Sequence, residues 1–235
     1  MKKKVIIIVL LMALLSIAGF SIYNNYKNKN YKESTTDAIK FMIEYENLNN
    51  KLKADGINKH TEINIIEENV IKYSNYNEIV SVLDSGTGVI YFGYPECPWC
   101  RNAVPELLEV AKETGLETIY YFNDMSIRDQ KSLDDNGNII VDKEGTDEYY
   151  NLLTRLSDYL GSYKGLNDET IKRLYVPTVV FVKEGNIVGV HIGTVESQTD
   201  PSILLNDEQR EELQQIYREN MEKVLNNSCS VDVPC

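Results

Sequence analysis

Histidine and tryptophan are scarce in this 235-residue chain, at two and one, and the 24 basic residues are outnumbered by 36 acidic ones. No Ser-His-Asp or Cys-His pattern is visible, so hydrolase chemistry has no support, and neither His60 nor His191 is assigned a catalytic role. No glycine-rich phosphate loop follows a strand, which removes nucleotide binding. The formal net charge of −12, with no basic stripe, argues against nucleic acid as a partner. Repeats and low-complexity segments are absent. Cysteine is also sparse, and its four copies fall in two pairs, Cys97 with Cys100 and Cys229 with Cys235.

The first pair carries the chemistry. Cys97-Pro98-Trp99-Cys100 sits where an apolar, strand-like run from Gly88 to Tyr94 gives way to a helix-like run from Arg101 to Gly115. Residues three apart on a helix share a face, with Cα atoms about 5–6 Å apart, inside the window a disulfide needs. Cys97 at the helix start would have its thiolate stabilised by unpaired N–H groups and the dipole. That makes Cys97 the nucleophile and Cys100 the resolving thiol. Pro98 suits the first helical turn, and Trp99 offers an apolar face to a substrate. Two plainer readings compete: an inert structural disulfide, and half of a zinc site completed by Cys229 and Cys235. The spacing of that second pair is wrong for the usual zinc knuckle.

Downstream, residues 176–193, Val-Pro-Thr-Val-Val-Phe-Val-Lys-Glu-Gly-Asn-Ile-Val-Gly-Val-His-Ile-Gly, read as two apolar strands joined at Glu184-Gly185-Asn186. With the cysteine motif, this pattern resembles the thioredoxin family over roughly residues 66–122 and 174–227. The resemblance implies a thioredoxin fold, an α/β architecture with a central mixed sheet flanked by helices. It implies that Pro177 is a cis-proline facing the cysteines, with Val176 and Pro177 positioning an extended substrate. It also matches Pro105 to the proline inside the family's active-site helix. Residues 123–175 exceed what small members need, so an insertion is expected between the active-site half and the cis-proline hairpin. Tyr91 stands where reducing thioredoxins usually carry a buried Asp, and Glu96 replaces the usual tryptophan before the first cysteine. The usual proton acceptor for the resolving thiol is thus absent or moved, and the reduction potential stays open.

At the N-terminus, Met1-Lys2-Lys3-Lys4 precedes an uncharged run from Val5 to Phe20. The lysines predict a cytoplasmic N-terminus with the rest of the chain exported, either on an uncleaved membrane anchor over residues 1–23 or secreted after cleavage near Ser16-Ile17-Ala18. Export fits the cysteines, since extracytoplasmic compartments tolerate disulfides. Residues 24–34 read as a polar tether and 35–65 as an N-terminal helical extension, with a helix from Ser34 to about Lys53. The domain itself is expected over residues 66–227, followed by a tail at 228–235. In that tail Cys229 and Cys235 are a candidate accessory disulfide, a second redox pair, or an intermolecular link.

Between these ends the pattern predicts strands over 69–74 and 116–122, helices over 77–83, 147–160 and 206–226, and a hairpin turn at 134–138. The expected function is extracytoplasmic thiol-disulfide exchange on exported proteins or peptides, similar to bacteriocin-accessory thioredoxin-like proteins. A membrane redox partner is a candidate, and the chemistry needs no metal or organic cofactor. The rival is a non-catalytic binding module at the cell surface, its cysteines locked as a bridge.

Overall fold

A computed structural model describes residues 36–225. The expected anchor, the tether and the Cys229–Cys235 pair lie outside the described residues. Within them, no helix is long and apolar enough to cross a membrane.

A five-stranded mixed sheet forms the centre, built from β1 (Ile71–Tyr73), β2 (Gly88–Phe92), β3 (Ile119–Phe122), β6 (Thr178–Lys183) and β7 (Asn186–Ile192) in the order β1-β3-β2-β6-β7. The first three strands run parallel, whereas β6 pairs antiparallel with β2 and β7 antiparallel with β6. Their side chains obey the two-residue period of a strand. Val89, Tyr91, Ile119, Tyr121, Val179 and Phe181 enter one core, while Ile90, Phe92, Phe122, Val180 and Val182 enter the other. The first face is covered by α1 (Asp37–Glu46), α3 (Pro98–Thr114) and α5 (Asp207–Leu225), the second by α2 (Tyr76–Ser85) and α4 (Asp147–Arg155). Buried on both faces, β2 reads as an unbroken apolar run, as central strands must.

Local signals set the helix starts. Thr36 caps α1, Asn75 and Glu78 form a reciprocal capping box on α2, and Thr146 caps α4. The hairpin between β6 and β7 turns through Glu184 and Gly185, both at positive φ, and the Gly185 N–H bonds back to the Gly86 carbonyl at 2.8 Å. Between β3 and β6 the chain adds a two-stranded sheet, β4 (Gln130–Leu133) with β5 (Ile139–Lys143), turning at Asp134-Asp135-Asn136-Gly137-Asn138.

Several expected elements are shorter than their patterns. The helix expected to run to about Lys53 ends at Glu46, because asparagines divert the backbone. Asn49 bonds both the carbonyl and the N–H of Ile63, and Asn50 sits at φ 60°. Residues 47–65 are therefore an irregular strap and not a helical extension. The strand expected from Asn69 begins at Ile71, since the Asn69 side chain bonds Ile66, Ala38 and Ile71 backbone groups. The helix expected to reach Leu160 ends at Arg155, and residues 156–159 continue as turns.

Candidate functional site

Where β2 ends, residues 93–96 carry the chain to Cys97, the N-cap of α3. Cys97 has extended backbone angles, and its sulfur accepts the Cys100 N–H at 3.3 Å, the role a Ser or Asp oxygen plays at other helix starts. Pro98 takes the first helical position. Cys97 is 6 % exposed and Cys100 fully buried, and both are free thiols. The Val176–Pro177 peptide bond is cis, and the Val176 carbonyl lies 3.5 Å from the Cys97 sulfur. Residues 79 apart in sequence are thus brought together by the pairing of β2 with β6.

The two thiols are driven in opposite directions. Cys97 is held below the ordinary thiol range, first by the hydrogen bond from Cys100, then by the N–H groups of Cys100 and Trp99 and the field of Arg128, against the opposing effect of burial. Cys100 is pushed well above that range by burial and by its neighbour's negative charge. One sulfur is poised to attack while the other is kept protonated.

Behind Cys100 stands Tyr91, fully buried on β2. Its hydroxyl meets that of Tyr45, from α1, at 2.7 Å, and it acts on the Cys100 sulfur as a donor that favours the thiolate. A Cβ on Gly93 would collide with the Tyr91 hydroxyl, so the glycine makes room for it. Tyr45 is fixed by aromatic contacts with Phe41 and by a bond from Arg101, the residue after Cys100, to its carbonyl at 2.8 Å. Arg101 is fully buried. Its guanidinium also bonds the carbonyls of Thr61 and Pro95 and the Asn49 side chain, stitching α1 and the strap onto α3.

In front of Cys97 an open cleft is bordered by Trp99, Val176, Tyr163, Lys164, Arg173 and Tyr175. Arg128 lies beneath it, buried, 3.6 Å from the Asp124 carboxylate and bonded to the Leu174 carbonyl at 2.6 Å. Glu96 is exposed at the rim, Trp99 half-buried and Pro177 buried. His60 lies apart, buried near the Arg101 strap, and His191 on β7 bonds the Thr194 carbonyl at 2.9 Å and packs edge-on against Tyr217.

The structure therefore gathers Cys97, Cys100, Trp99, Val176 and Pro177 into one place. It adds Tyr45, Tyr91, Arg101, Arg128, Lys164 and Arg173, none of which the motif itself indicates. Tyr91 had a signal in the missing Asp, whereas Tyr45 reads as one more apolar position of its helix. Among the described residues no group of three or more His, Cys, Asp or Glu is arranged to hold a metal ion. No protein-family model matches the chain, and no curated protein matches it either.

Proposed function

We propose that this protein is an extracytoplasmic thiol-disulfide oxidoreductase of thioredoxin-like fold that acts on disulfides of exported proteins or peptides. The observation that carries the reading is the Cys97 sulfur: capping a helix, backed by a buried Cys100, and 3.5 Å from the carbonyl that precedes Pro177. The order of strand, helix, strand, helix, strand, then hairpin and helix supports the fold, with residues 123–175 as its insertion. The lysines and apolar run of residues 1–23 support export and a membrane anchor.

In the reducing direction the Cys97 thiolate attacks one sulfur of a substrate disulfide. A Cys97–substrate bond forms as the substrate S–S bond breaks, and the departing sulfur takes a proton from water. Cys100, losing its proton to water, then attacks the Cys97 sulfur. The Cys97–Cys100 bond forms, the second substrate sulfur leaves, and two electrons have passed to the substrate. Run in reverse, the Cys97–Cys100 disulfide accepts two electrons from a substrate dithiol and installs its disulfide. A membrane dithiol or disulfide partner resets the pair. During attack, main-chain groups around Val176 hold the substrate as an added strand. Cys100→Ser is expected to trap mixed disulfides with exported proteins and Cys97→Ser to trap none, read on non-reducing gels. Equal trapping by both would overturn the role assignment.

A further inference from the structure

The cleft in front of Cys97 runs against the charge of the molecule. The chain carries −12, yet the residues bordering this cleft include Arg128, Lys164 and Arg173 and a single carboxylate, Glu96. Arg128 is taken up by Asp124 and the Leu174 carbonyl. Lys164 and Arg173 are different: among the described residues neither has a carboxylate within ion-pair distance.

Both cations rest on a fixed aromatic platform. The Arg173 guanidinium lies 4.1 Å from the centre of the Tyr163 ring and 5.9 Å from that of Tyr175, and the Lys164 ammonium lies 5.8 Å from the Tyr175 ring. The rings are themselves pinned. The Tyr163 hydroxyl accepts the Lys131 N–H at 3.0 Å, and the Tyr175 hydroxyl accepts the Lys164 N–H at 2.6 Å. A stacked guanidinium keeps its N–H edge free and loses little freedom when a carboxylate docks. Tyr175 is also the residue before Val176, so the platform adjoins the backbone that an extended chain would lie along.

Resting on the redox reading above, we propose that this cleft selects extended polypeptide segments bearing Asp or Glu beside the reacting cysteine, with Arg173 and Lys164 receiving the carboxylates. The rest of the surface repels such a partner, so the preference is local and acts within about one Debye length of Cys97. A preference for acidic substrates is the opposite of what the composition alone would favour.

The test uses the Cys100→Ser protein and peptidyl 2-pyridyl disulfides, following pyridine-2-thione release as Cys97 forms the peptide mixed disulfide. Three peptides carry Asp, Ser or Lys on both sides of the cysteine. At low salt the Asp peptide is expected to react about tenfold faster than the Lys peptide, the gain that local charge complementarity gives to association. In about 1 M NaCl, where screening reaches about 3 Å, the difference should collapse. Lys164→Glu with Arg173→Glu should invert the order of the Asp and Lys peptides, each rate taken relative to that of the Ser peptide with the same variant, and Arg173→Gln alone should narrow it. Equal rates for all three peptides, or a preference that survives both charge reversals, would overturn the acidic selectivity and leave the redox reading standing. A glutathionyl 2-pyridyl disulfide that outpaces the Asp peptide would overturn the polypeptide assignment in favour of a small thiol. No reaction with any of them would sink the redox reading, and this proposal with it.

Discussion

Residues 37–65, together with Tyr91 and Arg101, close over the inner side of the thiol pair, and residues 124–176 border its outer side. The inner region is packed and neutral where it meets sulfur: Tyr45 and Tyr91 present hydroxyls, and the nearby cation, Arg101, is spent on backbone carbonyls and Asn49. Facing Cys97, the outer region is open and cationic, with Lys164 and Arg173 carried on aromatic rings. Under the proposed redox role Cys100 ionises only at the moment of attack, which suits a dry pocket with a hydrogen-bond donor, because a fixed charge would hold it ionised throughout. A thiol that must meet foreign chains needs an accessible face with a field of its own. On the proposed function, the division would give reactivity to one side and partner choice to the other.

The inner region breaks most severely at Arg101. Replacing it with Leu removes the guanidinium donor from the carbonyls of Tyr45, Thr61 and Pro95 and from Asn49, and frees the strap from α3. The expected loss is about 3 kcal/mol or more, the range for dismantling a buried hydrogen-bond network, read as a lower urea midpoint of the reduced protein. An unchanged midpoint would mean that apolar contacts of Phe41 and Ile63 hold the strap unaided. The inner side's chemistry can be removed separately. Tyr91→Phe deletes one hydroxyl beside Cys100 and is expected to slow resolution of a Cys97 mixed disulfide about tenfold, the scale of one hydrogen bond to a charged sulfur. Tyr45→Phe should do less, because Tyr45 acts through Tyr91. Stopped-flow resolution rates with an unaltered attack step would separate this from a folding defect, and wild-type resolution in Tyr91→Phe would refute the role.

The two regions also differ in how far they could be read from sequence. The strand-to-helix junction at Cys97 and the β6–β7 hairpin announce themselves locally, through apolar runs, a capping position, and glycine in a turn. Their meeting needs only that β2 and β6 pair, which the unbroken apolar runs of both strands, each buried on two faces, already favour. Arg101 is illegible in the same way that most buried cations are. A charged residue at a helical position reads as solvated, and the strap that buries it has no periodicity. Tyr163 and Arg173 lie ten residues apart in irregular chain, so no window joins them. Asparagine supplied a missed cue, since Asn47, Asn49 and Asn50 together end α1 before its apolar pattern does.

The finest test of the division lies at Arg128, which belongs to the outer region yet reaches the Cys97 sulfur by its field. With the Cys97 pKa lowered, alkylation of the reduced protein by iodoacetamide should rise with pH and level off below the ordinary thiol range, while Cys100, shifted the other way, stays silent until higher pH. Arg128→Gln removes a cation that favours the thiolate, so the Cys97 midpoint should move up. The move should be small, because Arg128 contributes less than the hydrogen bonds from Cys100 and Trp99 and faces Asp124 at 3.6 Å. Arg128 also bonds the Leu174 carbonyl, two residues before Val176, so a displaced loop could mimic the result. Arg128→Lys separates the two causes by keeping the charge while losing the planar fork. If Lys restores the midpoint, the outer region tunes the Cys97 thiol in addition to the partner selection proposed for it. If the midpoint stays raised in both variants, the loop and not the charge is responsible, and the outer region is left with only the partner selection proposed for it.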